Sequence, residues 1–201
     1  MQVAVFLDRD GTINEEMGYI NHIDRFVLLP GAAAAIRRIN QSGLKAVVVT
    51  NQSGAARGYF PAELIDLVHQ KMVDLLKEEG AFLDGIYTCT HAPAAEGESG
   101  SCDCRKPGIG LMEQAAEELK LDLQRSYVAG DRFKDVEMAH KAKAKAILVL
   151  TGYGKGELEF LGPRSKVQAH FVAEDLKEAV DWILADVKGQ TEKAKAPKQP
   201  R

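Results

Sequence analysis

The sequence predicts an α/β protein with a Rossmann-like, mostly parallel sheet flanked by helices. Two observations carry that expectation. Short apolar runs alternate with amphipathic segments along most of the 201 residues, and the runs read as strands buried on both faces, several ending in a polar residue.

"VAVFLD" is the first strand, from Val3 to Leu7, and it ends in Asp8. "PGAAAAIRRINQSG" reads as a helix opened by Pro30 and Gly31, with Ile36 and Ile39 on one side and Gly43 as its stop. "LKAVVVTNQSG" is the second strand, running into a polar loop at Thr50 to Gly54. The next helix, "PAELIDLVHQKMVDLLKEEG", starts at a proline, repeats Leu64, Leu67, Val68, Leu75 and Leu76, and closes at Gly80. "DGIYTC" is the third strand and leads into a cysteine-bearing loop; "IGLMEQAAEELK" is helical, and "SYVAGD" is a fourth strand ending in Asp131. "KDVEMAHKAK", "AILVLTG", "HFVAED" and "LKEAVDWILADV" continue the alternation to Val187.

A single domain over 1–187 follows, long enough to bury around 70% of the unfolded chain's surface. The last fourteen residues, 188–201, carry five basic residues against one acid and two prolines, and are expected to be a disordered basic tail. Net charge is −3, which argues against a polyanion-binding surface. No apolar run is long enough to cross a membrane, and the N-terminus is charged too soon for a signal peptide. The expectation is therefore a cytoplasmic monomer acting on a small molecule, with neither nucleic acid nor membrane as partner.

In a parallel sheet the strand ends share one edge. Asp8 and Asp10 of "DRDGT", Thr50 and Asn51, the Arg105 and Lys106 pair, and Asp131 would then face one crevice. Three carboxylates so close repel one another, and Mg2+ is the usual remedy, since it favours one or two carboxylates plus a phosphate oxygen. A lysine and a threonine suit the phosphoryl oxygens. Phosphoryl transfer is the chemistry implied, with Asp8 attacking phosphorus. Asp10 returns to the same face at strand spacing and serves as acid and base. Gly11 permits the turn that keeps both acids aimed inward. Asp135 reads equally well as support for the metal or as the start of a helix.

All three cysteines lie between residues 89 and 104, as Cys89-x-His91, ten residues, then Cys102-x-Cys104. Three thiolates and an imidazole close a tetrahedral structural Zn2+ site with no open position. The intervening "APAAEGESGS" cannot pack a core of its own, so a metal clip would supply its order. His22, His69, His140 and His170 have no ligand pattern and are expected on the surface or in packing roles, and Trp182 in the core.

"FLDRDGTIN", "VVVTNQSG", "CRKP" and "VAGDRFKD" resemble the four motifs of the haloacid dehalogenase-like phosphatase superfamily, over Val3 to about Val187. The longer strings "DRDGTIN", "TNQSGAARG" and "CDCRKP" resemble the D-glycero-manno-heptose 1,7-bisphosphate 7-phosphatases, close to the histidinol-phosphate phosphatases. The resemblance implies an aspartyl phosphate on Asp8, acid and base roles for Asp10, and Mg2+ held by Asp8, the backbone carbonyl of Asp10, and Asp131. It implies Thr50 and Lys106 on the phosphoryl group, and Arg105 in substrate recognition. Sugar-phosphate contacts would come from Glu16, Met17, Gly18, Tyr19, Asn51, Gln52, Ser53 and Arg132, the last a looser match because the family carries lysine or arginine there. Asp10 favours hydrolysis of the phosphate.

About twenty residues separate Thr12 from Pro30, leaving no room for a folded cap, so an open site is expected. The implied activity is Mg2+-dependent removal of the C7 phosphate of heptose 1,7-bisphosphate, in making nucleotide-activated heptose for lipopolysaccharide and other cell-surface polysaccharide. Histidinol-phosphate hydrolysis and a zinc-stabilised, non-catalytic binding module are the alternatives.

Overall fold

A computed structural model describes residues 1–92 and 102–195, with side chains to residue 190. Its strands are β1 (Ala4–Leu7), β2 (Lys45–Asn51), β3 (Gly85–Cys89), β4 (Tyr127–Gly130), β5 (Lys145–Val149) and β6 (Phe171–Ala173). All pair in parallel, in the order β3, β2, β1, β4, β5, β6. Strand side chains alternate between faces. Val5, Leu7, Val48, Ala129, Ile147 and Val149 therefore feed one core, and Ala4, Phe6, Val47, Val49, Val128 and Leu148 the other.

Helices α1 (Ala32–Gln41), α2 (Glu63–Glu78) and α6 (Leu176–Lys195) cover the first face, with Ile36, Ile39, Met72, Leu76, Val180 and Ile183 inward. The second face is covered by α3 (Gly110–Leu119) and α4 (Phe133–Lys141), through Leu111, Met112, Val136 and Met138. Ile36 is fully buried, so truncating it to alanine would cost ~2–5 kcal/mol.

From β1 the chain winds outward through β2 and β3, then returns to the other side of β1 as β4. The order reverses at the carboxyl ends of β1 and β4, where doubly wound sheets open a crevice. Leu7 pairs with both Val48 and Ala129, so Asp8 lies level with Val49 and Gly130, one residue short of Thr50 and Asp131.

Only a single 3-10 turn, Ile23–Arg25, interrupts the path from β1 to α1, and neither helix nor strand lies between β2 and α2. The absence of an inserted cap matches the expectation from the short connections.

Three local features differ from the sequence expectation. Thr50 and Asn51 belong to β2 rather than to the loop, because β3 extends the ladder to them, pairing Thr50 with Thr88 and Asn51 with Cys89. One helical turn, α5 (Gly154–Gly156), runs into a π turn (Glu157–Leu161) and a 3-10 turn (Gly162–Arg164). These turns are too short to show a hydrophobic period. Helix α6 continues to Lys195, eight residues beyond the expected boundary at Val187. "KGQTEKAK" is polar, but lysine, glutamine, glutamate and alanine all propagate a helix already nucleated upstream. The rest of the expected tail, 196–201, and most of the "APAAEGESGS" loop lie outside the described residues. No helix of the described residues is long and apolar enough to cross a membrane.

Candidate active site and cysteine cluster

Asp8 follows β1 directly, and its Oδ1 lies 2.7 Å from Lys106 Nζ. The same Nζ lies 2.7 Å from Asp135 Oδ1 and donates to the Val49 carbonyl at 3.2 Å. All three charged groups are buried. Burial opposes the charge on Lys106, yet Asp135 and Asp8 hold it protonated above the ordinary lysine range. Burial also pushes Asp8 up to about 7, with Lys106 opposing and the charges of Asp135 and Asp10 adding to the rise.

Asp131 follows β4 and completes the carboxylate group: ligand oxygens of Asp8, Asp131 and Asp135 all lie within 4.8 Å of one another. Asp131 Oδ2 accepts from the Tyr153 backbone N–H at 2.8 Å, while its buried Oδ1 finds no hydrogen-bond partner. Backbone packs tightly against this carboxylate. A Cβ on Gly11 (φ +80°) or Gly152 (φ +54°) would collide with Asp131 Oδ2, so both turns need glycine. An orphaned buried oxygen amid crowded acids fits a hard divalent cation such as Mg2+.

The same crowding makes a prediction about stability. Burial, then the charges of Asp8 and Asp135, push Asp131 up to about 8. A carboxyl whose pKa is raised on folding is held better protonated, so the metal-free fold gains stability as pH falls from about 8 towards 4. Each unit of such a shift is about 1.4 kcal/mol. Saturating Mg2+ is expected to raise the wild-type Tm; Asp131→Asn should raise the metal-free Tm at pH 8 and abolish that Mg2+ shift. Calorimetry with and without Mg2+ checks this; an unchanged Mg2+ shift in the variant would remove Asp131 from the metal site.

Asp10 points elsewhere. Its Oδ1 accepts from Arg9 Nη2 and Asn14 Nδ2, both at 3.0 Å, and its Oδ2 from Arg9 Nη2 at 2.9 Å and Gln52 Nε2 at 2.8 Å. Burial alone would raise this carboxyl, but the Arg9 charge and these donors hold it below the usual range. Gln52 also bonds Thr50 Oγ1 at 2.8 Å, linking the acid to the second strand end.

Around these groups opens a cleft of about 300 Å³, lined by Glu16, Gly18, Tyr19, Thr50, Asn51, Ser53, Arg105, Lys106 and Arg132 among the expected residues. Met17 packs against the core instead, and Gln52 turns to Asp10 and Thr50. Lys134 and Tyr153 line the cleft beyond that expectation, and so does Asp135, which the sequence leaves open between metal support and helix start. Tyr153 was legible in principle, since "AILVLTG" is also a strand and its end shares the edge. Arg132 is pinned from behind: its Nε donates to Glu157 at 2.9 Å and its guanidinium lies 4.3 Å from the Tyr153 ring centre.

Ligand atoms of Cys89, His91, Cys102 and Cys104 also gather within 4.8 Å. Cys89 Sγ is 3.5 Å from Cys102 Sγ, which is 3.0 Å from Cys104 Sγ, and His91 Nδ1 is 3.2 Å from Cys104 Sγ. Thiolates about 2.3 Å from a tetrahedral ion lie roughly 3.8 Å apart, so the set is a little tight but of the right shape. Cys89 ends β3, and the other two sulfurs lie just ahead of Arg105 and Lys106.

A parallel sheet with acids at its switch point and a lysine bridging two of them defines a hydrolase of the haloacid dehalogenase type. Residues 103–179 match the family described as "HAD-hyrolase-like". The D-glycero-D-manno-heptose-1,7-bisphosphate 7-phosphatase of Thermosynechococcus vestitus is 40% identical over 186 residues, 90% of this chain and 94% of that one. The Haemophilus influenzae D-glycero-beta-D-manno-heptose-1,7-bisphosphate 7-phosphatase is 43% identical over 162 residues, 78% of this chain and 88% of its own. Among solved structures, the D,D-heptose 1,7-bisphosphate phosphatase of B. bronchiseptica, complexed with magnesium and phosphate, superposes with a TM-score of 0.81 at 32% identity, covering 92% of this chain and 99% of that one. The chain belongs to the D-glycero-manno-heptose-1,7-bisphosphate 7-phosphatase family.

Proposed function

We propose that this chain is a Mg2+-dependent phosphatase that hydrolyses the C7 phosphate of D-glycero-manno-heptose 1,7-bisphosphate through an aspartyl phosphate. The observation that carries this reading is the buried Asp8, Lys106, Asp135 cluster facing the unpartnered Asp131 Oδ1 at the floor of an open cleft. Mg2+ would be held by Asp8, Asp131 and the backbone carbonyl of Asp10, with Asp135 beside it, and would supply charge to offset the carboxylates and polarise the phosphoryl oxygens.

Asp8 attacks phosphorus as the bond to the sugar's O7 breaks; Asp10, a carboxylate in the free enzyme, first takes a proton from solvent and then passes it to that oxygen. A water then attacks phosphorus, loses its proton to Asp10 and frees Asp8. Lys106 and Thr50 balance charge on the phosphoryl oxygens throughout. Arg105 and Arg132 on the rim suit the phosphate at C1, and Glu16, Gly18, Tyr19, Asn51 and Ser53 the sugar; Met17 and Gln52 support these from behind. Cys89, His91, Cys102 and Cys104 hold Zn2+ away from the reaction. The enzyme so read is a cytoplasmic monomer.

The test follows phosphorus directly. Incubated with Mg2+ and the bisphosphate, the enzyme is expected to release the C7 phosphate and leave the C1 phosphate, by 31P NMR. Preference for histidinol phosphate by about tenfold or more would overturn the substrate, and no turnover of any phosphate monoester would leave the binding-module reading.

A further inference from the structure

Among the described residues Arg9 is the largest of the fully buried side chains, only 2% exposed, yet nothing in the chemistry above uses it. Apolar side chains fill the preceding strand positions, where Phe6 and Leu7 pack in the core. A guanidinium taken out of water is costly unless its donors and charge are met. Here Nη2 spans both oxygens of Asp10, at 3.0 and 2.9 Å, and Nη1 lies 3.3 Å from Nε2 of His69 on α2, while Nε has no partner. Because a guanidinium can only donate, His69 must accept through Nε2 as the neutral ring. Burial first, and then the Arg9 charge, hold His69 down to about 4, consistent with that state. His69 thus ties Arg9, and through it Asp10, to a helix of the outer layer.

We infer that Arg9, backed by His69, is a positioning residue for the proton transfer that releases the sugar: it fixes the angle and reach of the Asp10 carboxylate. The inference rests on the reading of Asp10 as acid and base. Asn14 and Gln52 each hold a single oxygen of Asp10, and each also serves another acceptor, Glu15 O and Thr50 Oγ1 respectively. Arg9 alone reaches both oxygens from a fixed plane, and a carboxylate held by two single-point donors can pivot between them. Proton transfer depends on reach within hydrogen-bond distance, so pivoting harms most the reaction whose leaving oxygen needs the proton most.

That dependence separates positioning from general loss of structure. A sugar alkoxide must be protonated as it leaves, whereas p-nitrophenolate leaves as a stabilised anion. We would measure kcat/KM for heptose 1,7-bisphosphate and for p-nitrophenyl phosphate in wild type, His69→Leu, His69→Gln and Arg9→Lys. The ratio of sugar to aryl kcat/KM is expected to fall about tenfold in His69→Leu. His69→Gln should recover most of that ratio, because its amide oxygen can accept from Nη1. Arg9→Lys keeps the charge and one donor nitrogen but loses the guanidinium plane and its Nη1 contact to His69, and should lower the ratio at least as much.

Parallel losses on both substrates, a wild-type ratio in His69→Leu, or a wild-type ratio in Arg9→Lys would each overturn the inference. Should Arg9→Lys fail to fold, the two His69 variants decide it. A wild type that ignores the heptose bisphosphate but cleaves another alkyl phosphate removes the substrate assignment alone, and the same ratio is then read on that alkyl phosphate.

Discussion

Asp8→Asn is expected to lower kcat by about four orders of magnitude or more, as removal of a nucleophile does elsewhere, while the protein stays folded. The second half of that expectation comes from electrostatics. Asp8 shares its pocket with Asp131 and Asp135, and burial sets its pKa at about 7. Since the folded value lies above that of the unfolded chain, the charged group weakens the metal-free fold at pH 8, and stability is regained as pH falls through 7 towards 4. An amide removes the charge and flattens that part of the pH dependence. Against this, Lys106 loses one of its two carboxylates, but Asp135 at 2.7 Å still pairs it, so no buried cation is stranded. Relief of repulsion should therefore win in the metal-free protein, giving a Tm at pH 8 equal to or above wild type. Single-turnover assays with thermal unfolding over pH 5 to 8 check both halves. Retained turnover removes Asp8 as nucleophile; a collapsed Tm means that its pair with Lys106 outweighs the repulsion.

What the sequence made legible follows from how local each signal is. Asp8 and Asp131 each stand directly after an apolar run, so a single count along the chain puts them at the same sheet edge. Lys106 was legible from its place after the cysteines, although its partner Asp135 was open to two readings. Asp135 lies in the first turn of α4, where an acid is favoured by the helix terminus whether or not it serves a site. Geometry alone separates those readings, through the 2.7 Å contact with Lys106. Arg9 and His69 are sixty residues apart, and their contact depends on how α2 is rotated against the sheet. Neither period nor motif encodes that rotation. Glu157 behind Arg132 is hidden for a related reason: it stands in a π turn, where helical spacing gives no guide to its direction.

Removing the proposed zinc, by chelation or by Cys102→Ser, is expected to lower kcat about a hundredfold and to lower Tm as well, although the cluster touches no reacting atom. Without a cation the three thiols cannot all ionise at neutral pH. Burial, then hydrogen bonds with the neighbouring thiols, push Cys104 up to about 12, and burial raises Cys89 too. Burial pushes Cys102 up in the same way, but hydrogen bonds with its neighbours win and bring it down to about 7. The metal-free loop would then keep its protons and lose its clip. Two tethers compete to place Lys106 at that point. On the cluster side, the Arg105 N–H donates to Cys102 O at 3.2 Å and Arg105 Nη1 to His91 O at 3.0 Å. On the sheet side, Asn51 Oδ1 accepts from the Lys106 N–H at 3.1 Å, with a longer return bond of 3.4 Å. The second pair rests on one side chain, and its return bond is long. The zinc clip should therefore dominate, and a shift of about 1 Å in Lys106 suffices for a hundredfold loss. Zinc returned to the chelated protein should restore both kcat and Tm, whereas Cys102→Ser should not respond. Wild-type kcat in fully zinc-free protein would show that the contacts of Lys106 with Asn51, the Val49 carbonyl, Asp8 and Asp135 hold it without the clip.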